Sequence, residues 1–405
     1  MHVLYFHQYF STRQGSTGTR SYEMALKLIK RGHSVTMVCG SYGAANTGLT
    51  EPFHRGRREG TVDGIHVIEL ELPYSNRDGL LKRSWTFAKY SIRSAWIAVF
   101  TPADIVFATS TPLTAAIPGL AASWLRRKRF VFEVRDLWPE LPKAMGVVKN
   151  PLVLFGMGWL ERRAYRAAQR CIGLAPGIAD GIAKHIDRQR ISMIPNGCDL
   201  EFLDPAEAVA WRPKQLNASD FVAVFAGTHG MANGLTAVLD AAAVLKQRGR
   251  VDIKLLLVGD GKLKDGLIQR AQDEGLTNVV FHDNVSKDRI PGLLCGVDVG
   301  MQLLANVPAF YYGTSPNKFF DYLAAGLPVL NNYPGWVADM VTENNCGVAV
   351  PPENPQAFAE ALEFLADHPE RRRSMASEAR ALAEREFNRD QLSEQFVGVL
   401  ENAAR

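Results

Sequence analysis

Phe221-Val222-Ala223-Val224-Phe225-Ala226-Gly227-Thr228-His229-Gly230-Met231-Ala232-Asn233-Gly234 reads as a buried strand, a glycine loop and the entry to a helix over 234–248. A short apolar run closed by glycines has the length and punctuation of a parallel-sheet strand. Leu257-Val258-Gly259-Asp260-Gly261-Lys262 repeats the arrangement one unit later and opens a helix over 262–274. Strands at Phe221–Phe225, Ile253–Val258, Val279–Phe281, Val297–Leu303 and Pro328–Asn331 alternate with those helices and with helices over 317–325 and 355–366. Such alternation builds a parallel sheet with helices on both faces.

The same pattern runs through the other half. Val3–Phe6, Ser34–Cys39, Ile65–Leu70, Ile105–Ala108, Phe130–Val134 and Cys171–Leu174 read as strands, with a helix at Ser21–Lys30 after the first. The halves meet near Asp204-Pro205. The expected organisation is an α/β chain of two Rossmann-like domains, 1–205 and 206–385, facing each other across a cleft. A C-terminal helix over 386–405 returns to the first domain. Ligands of open α/β sheets bind beyond the carboxyl ends of the strands, so that cleft is the expected site.

A length of 405 residues suits two or three domains at about 150 residues each. With 47% hydrophobic and 22% charged residues the chain is neither disordered, collagenous nor a coiled coil. No run of 18 apolar residues occurs, and Met1–Phe10 lacks the features of a signal peptide. The five cysteines are scattered, with no CxxC or HExxH, so reduced thiols are expected, with no disulfide framework and no zinc site. Residues 1–200 carry 27 Lys+Arg against 15 Asp+Glu, a balance of +12, whereas 201–405 carry 19 against 27, a balance of −8. A basic half points to an anionic partner.

Gly15-Ser16-Thr17-Gly18-Thr19-Arg20 lies between the first strand and the first helix. Its spacing is neither GxGxxG nor GxxxxGK[ST]. Gly15 and Gly18 let backbone approach an anion at a helix N-terminus; a flexible turn is the alternative. The richest stretch is Ser315-Pro316-Asn317-Lys318-Phe319-Phe320-Asp321-Tyr322-Leu323-Ala324-Ala325-Gly326-Leu327-Pro328-Val329. Ser315-Pro316 starts a helix, Gly326 caps it and Pro328 stops it. Lys318 and Asp321 share one helix face, where the cation suits phosphate and the carboxylate suits ribose hydroxyls; a surface ion pair is the plainer alternative.

Ser315–Val329 resembles the donor-site signature of retaining glycosyltransferases of the GT-B fold, family 4. Ile194-Pro195-Asn196-Gly197-Cys198-Asp199 is similar to the family's interdomain junction, and Thr19-Arg20-Ser21-Tyr22-Glu23 with Gly32-His33-Ser34-Val35 is typical of it. Glu133-Val134-Arg135-Asp136-Leu137-Trp138-Pro139-Glu140 resembles bacterial O-antigen and capsule transferases, notably the L-fucosamine transferase type. The resemblance implies binding of a UDP-sugar by Ser315, Asn317, Lys318, Asp321, Gly230, Gly15 and Gly18. Asp136, Arg135 and Lys318 take the catalytic positions, and Glu133 is structural.

The chain departs from the family at three points. Gly313 stands where an acid is usual, and Thr228 and Asn233 stand near the usual basic pair. Arg135 replaces the usual histidine before Asp136. Diphosphate charge then falls to the Gly230 backbone, Lys318, Lys262 or Lys264. Asp-x-Asp occurs nowhere, so neither a metal nor another cofactor is expected.

On a helix over Asp78–Phe100, Leu81, Trp85, Ala88, Ile92, Trp96 and Val99 form an apolar stripe beside Lys82, Lys89 and Arg93. Trp124-Leu125-Arg126-Arg127-Lys128-Arg129 adds a second basic-aromatic cluster. The implied partners are a nucleotide-sugar donor, an undecaprenyl-diphosphate-linked or similar lipid acceptor and an anionic membrane surface, with no nucleic acid. The expected location is cytoplasmic, peripheral at the inner face of the cell membrane. Trp159–Arg170, by contrast, is expected to pack inside. A nucleotide-sugar 2-epimerase of the same fold and a non-catalytic GT-B scaffold subunit are the alternative functions.

Overall fold

A computed structural model describes residues 1–15, 18–43, 45–74 and 78–405. The chain divides into two compact units. One holds Met1–Pro195, Tyr312–Ser315 and Asp390–Arg405, and the other holds Asn196–Tyr311 and Pro316–Arg389.

In the first unit, β1 (His2–Phe6), β2 (Ser34–Tyr42), β3 (Arg57–Val62), β4 (Ile65–Tyr74), β5 (Ile105–Thr109), β6 (Arg129–Val134), β7 (Arg170–Gly173) and β8 (Ile191–Met193) form one sheet. Their order is β3-β4-β2-β1-β5-β6-β7-β8. β1 sits centrally, with Val3 opposite Val35 on one side and Ile105 on the other. Its side chains from Val3 to Phe6 are fully buried, as both-face burial of a parallel strand requires.

The sheet is not wholly parallel. β3 pairs antiparallel with β4 through a turn at Asp63-Gly64, both at positive φ, +50° and +82°. Asp-Gly favours this tight hairpin, because both central residues must adopt left-handed backbone. Polar β3 carries no apolar run, so hydrophobicity alone does not reveal it.

The helices Leu80–Phe100, Ala116–Arg126 and Pro151–Ala167 lie side by side against this sheet. The C-terminal helix Arg389–Ala404 packs on the sheet as well. Phe396 meets Phe107 edge-on at 5.0 Å, and Lys27 Nζ reaches Asp390 and Glu394, each at 2.7 Å. The apolar stripe of Leu80–Phe100 points away from the sheet: Leu81, Trp85, Ile92 and Trp96 are exposed. Trp159, expected inside, is exposed too, along with Leu152 and Phe155 on the same helix. Gly158, Glu161, Ala164 and Tyr165 make the inward contact instead, with the Tyr165 ring against Phe132 of β6.

In the second unit, β9 (Phe221–Ala226), β10 (Ile253–Val258), β11 (Val279–His282), β12 (Val299–Gln302), β13 (Val329–Asn331) and β14 (Gly347–Ala349) are all parallel, in the order β11-β10-β9-β12-β13-β14. Ala223 stands opposite Leu255 on one side and Val299 on the other. One core cluster joins these strands to Val238, Leu239 and Leu245 of the helix Thr236–Gln247 and to Phe358 and Leu362 of the helix Pro355–Asp367. Among the described residues no helix is long and apolar enough to cross a membrane.

Candidate active site

Strand order reverses between β9 and β12, which makes their carboxyl ends the switch point of the second sheet. The loops leaving these strands touch there. Ala305 donates its amide to Ala232 O at 2.9 Å, and a Cβ on Gly234, at φ +56°, would lie 2.9 Å from Ala305 Cα. The loop after β10 closes the other side. His229 donates its amide to Asp260 O, and Leu263 donates to His229 O, at 2.9 and 3.0 Å. A Cβ on Gly259 would meet Gly227 O at 2.0 Å, so the two loops pack backbone against backbone.

Lys318 reaches this corner from the helix Asn317–Ala324, whose C-terminal Gly326 has φ +63°. Its Nζ sits 4.6 Å from the centre of the Phe225 ring and 3.4 Å from Asn233 Oδ1. A Cβ on Gly227 would stand 3.0 Å from Lys318 Cε, so the bare glycine makes room for the lysine stem. No carboxylate among the described residues ion-pairs with Lys318. Burial lowers its pKa from 10.5 to about 8. An ammonium held over a ring without a counter-ion suits an incoming anion.

Asp321, one turn on, takes a different direction. Burial raises its pKa, opposed by the charges of Arg389 and Lys287, while Asp199 adds to the rise. It makes no ion pair with Lys318, which corrects the surface-pair alternative. Arg389 also donates to Gly197 O at 2.9 Å, and Cys198 exchanges backbone hydrogen bonds with Phe387 and Arg389. The segment around Asn196–Asp199 is thus bound to the end of the same unit.

Other expected donor residues fall out unevenly. Asn317 is exposed at the helix start. Ser315 groups with the first unit, whereas Pro316 begins the next stretch of the second. Gly230 spends its amide on Thr228 O at 2.9 Å. Lys264 is taken by Asp283 at 2.6 Å and Gly259 O at 2.9 Å, which removes it as a free cation. Lys262 is exposed. Phe225 and Asn233 were not singled out as Lys318's neighbours, because only the packed loop brings them to it. Buried His229 has neither ring nitrogen hydrogen-bonded, and burial lowers its pKa to about 4, so it is neutral at neutral pH.

In the first unit the reversal falls between β1 and β5. Glu133 on β6 is fully buried and accepts from Arg20 Nε at 3.0 Å and Thr109 Oγ1 at 2.7 Å. Arg20 and Arg135 hold its carboxyl below the usual range despite the desolvation. Arg20 continues to Pro195 O at 2.6 Å and Ile194 O at 2.9 Å, joining the Thr19–Glu23 and Ile194-Pro195 motifs. Arg135 donates to Thr109 Oγ1 at 2.7 Å and Ser21 Oγ at 3.0 Å. Asp136 beside it accepts from Thr111 Oγ1 at 2.9 Å, and burial raises its pKa. In the glycine loop, a Cβ on Gly15 would lie 2.8 Å from Asn46 N; Gly18 is exposed, and Ser16 and Thr17 lie outside the described residues.

Residues 15–197 match the family model described as Glycosyl transferase 4-like domain, and residues 210–382 match Glycosyl transferases group 1. The chain is 27% identical over 231 residues to a D-inositol 3-phosphate glycosyltransferase of Paenarthrobacter aurescens, covering 55% of each chain. It is 23% identical over 248 residues to an alpha-D-kanosaminyltransferase of Streptomyces kanamyceticus, covering 60% of this chain and 62% of that one. These matches therefore span little more than half the length of the relatives. The fold matches Anabaena HepE, solved in complex with UDP, with a TM-score of 0.70 at 18% identity over 99% of this chain and 100% of that one. Residues 15–197 thus belong to the glycosyl transferase 4-like domains and residues 210–382 to the group 1 glycosyl transferases, on two Rossmann-like sheets with the GT-B fold of the structural neighbours.

Proposed function

We propose that the chain transfers a sugar from a UDP-sugar to a lipid-linked glycan, with retention at the anomeric carbon and without a metal ion. The single observation that carries this reading is Lys318, an ammonium without a carboxylate partner beside the glycine loop at the β9–β12 switch point. The anomeric C–O bond to the diphosphate breaks while the acceptor oxygen bonds that carbon on the same face, and the acceptor proton passes to the leaving phosphate. The protein's part is to stabilise charge growing on the diphosphate, a task for Lys318 and loop backbone. Arg135 and Asp136 orient the sugar or acceptor.

The donor is an amino sugar, N-acetylated hexosamine or L-fucosamine in type; the alpha-D-kanosaminyltransferase relative supports an amino-sugar donor, and the UDP-bound fold neighbour supports the nucleotide. The product belongs to O-antigen, capsule or exopolysaccharide assembly at the cytoplasmic membrane face. Calorimetry against UDP-, GDP- and ADP-sugars tests the reading. Expected is binding of one UDP-amino sugar that Lys318→Ala weakens strongly; unchanged affinity in that variant overturns the donor site. Conversion of the bound UDP-sugar to its 2-epimer without acceptor would assign the epimerase instead.

A further inference from the structure

The helix Leu80–Phe100 is built inside out. Thr86, Tyr90, Ser91, Ser94 and Ala98 face inward and are buried, and Tyr90 and Ser91 hydrogen-bond to Val38 O and Thr114 O at 2.8 and 3.0 Å. Leu81, Ile92 and Trp96 stand outward at 89%, 69% and 68% exposure. The helix Pro151–Ala167 repeats the inversion, with Leu152 at 79% and Phe155 at 69% exposure and Trp159 one turn on. Between them, Ala116–Arg126 ends in exposed Trp124 and Leu125. A monomer in water rarely turns so many large apolar side chains outward from one layer of adjacent helices.

The outward charges on the three helices have one sign, although Asp78, just before the first of them, pairs with Lys82 at 2.8 Å. Glu161 is the only acid on the three helices; it is buried and accepts from Trp138 N at 3.0 Å and from Tyr165. All the other charged side chains are Lys or Arg. Cations lie over the outward rings: Lys89 over Trp85 at 5.3 Å, Arg126 over Phe100 at 5.3 Å and Arg163 over Trp159 at 5.6 Å. Aromatic side chains paired with cations match the headgroup layer of an anionic bilayer, where rings sit at the acyl boundary and cations meet phosphate.

We infer that the three helices form one docking plane for an anionic lipid bilayer, with Pro151–Ala167 a full part of it. Charge complementarity selects this occupant, since an apolar face of another protein would leave the Lys and Arg side chains unmatched. The Glu161–Trp138 hydrogen bond ties the third helix to the segment just beyond Asp136, so the docked plane and the acceptor-side residues move together. The inference takes its purpose, though not its test, from the lipid-acceptor reading.

Cosedimentation of the full chain with phosphatidylcholine vesicles, and with phosphatidylcholine–phosphatidylglycerol vesicles, tests it. Binding is expected to the mixed vesicles, to weaken at high salt, and to fall at least roughly tenfold in Phe155→Glu/Trp159→Glu. Arg163→Gln/Arg166→Gln, which removes two exposed charges and the cation over Trp159 but no buried side chain, should cost about fivefold per charge. Both variants should keep the wild-type melting temperature and UDP-sugar binding. Equal binding to neutral vesicles overturns the charge selection. Wild-type binding by both third-helix variants, with loss in Trp85→Glu/Trp96→Glu, removes that helix from the plane. A chain that ignores vesicles and elutes as a dimer split by Trp85→Glu/Trp96→Glu assigns the surface to a second copy. Loss of UDP-sugar binding with vesicle binding intact counts against the transfer reading alone.

Discussion

Lys318 Nζ lies 4.6 Å from the centre of the Phe225 ring, with Asn233 Oδ1 3.4 Å away. A ring face and an amide oxygen steady an ammonium without neutralising it. Lys318→Ala should therefore remove a charge-assisted contact of about 1.5–3 kcal/mol, which is roughly 10- to 150-fold in donor affinity. Titration calorimetry with the bound UDP-sugar reads this directly, and Lys318→Arg should recover only part of it.

The lowered pKa makes donor binding depend on pH. Free Lys318 loses its proton near pH 8, and a bound diphosphate favours the charged form. Affinity should fall as pH rises through about 8, and binding near that pH should take up protons. Calorimetry in two buffers of different ionisation enthalpy measures the uptake, which should vanish in Lys318→Ala. Burial penalises the ammonium fully below about pH 8 and less as pH climbs towards 10.5, so Lys318→Met should raise Tm at neutral pH while losing the donor.

Gly227 and Gly259 should separate function from folding. A Cβ at Gly227 would press on Lys318 Cε at 3.0 Å, the movable stem of a side chain. Gly227→Ala should weaken donor binding several-fold, with a smaller stability loss than at Gly259, about 1 kcal/mol from its φ of +159°. A Cβ at Gly259 would lie 2.0 Å from Gly227 O, at φ +145°. That backbone has no room to yield, so Gly259→Ala should cost about 1–3 kcal/mol or more in urea denaturation.

Arg20 and Glu133 form a buried pair in the first unit, 2.9 Å apart. Arg20→Ala leaves a buried carboxylate short of one cation and strands the carbonyls of Ile194 and Pro195. The expected loss is about 3–5 kcal/mol by chemical denaturation. Arg20→Met/Glu133→Gln should recover part of it, since the carboxylate is gone and the carbonyls are not. Glu133 is held below the ordinary carboxylate range, so its contribution is present at neutral pH and fades as acid protonates it.

Legibility in the sequence followed apolar periodicity. β9 and β10 stand in long apolar runs, and both lie where the pattern places them. β3 and β14 do not, because one is a polar edge strand and the other only three residues long. Asp63-Gly64 was the available signal for the β3–β4 hairpin. The helix Pro151–Ala167 misled for a related reason: its position before a strand suggests burial, but only its second half turns a ring, Tyr165, to the sheet, while Leu152, Phe155 and Trp159 face out.

The order of strands, glycine loops and helices, and hence two Rossmann-like sheets, could be read from the chain alone, because backbone pairing and side-chain periodicity are local properties of sequence. Lys318 could be named in the same way. Its place over Phe225, the diversion of Asp321 to other neighbours, the capture of Lys264 by Asp283 and the outward turn of Trp96 and Trp159 were decided only by tertiary packing. The reason is physical: a side chain's electrostatics and exposure depend on residues far away in sequence, which meet only when loops and helices close on one another.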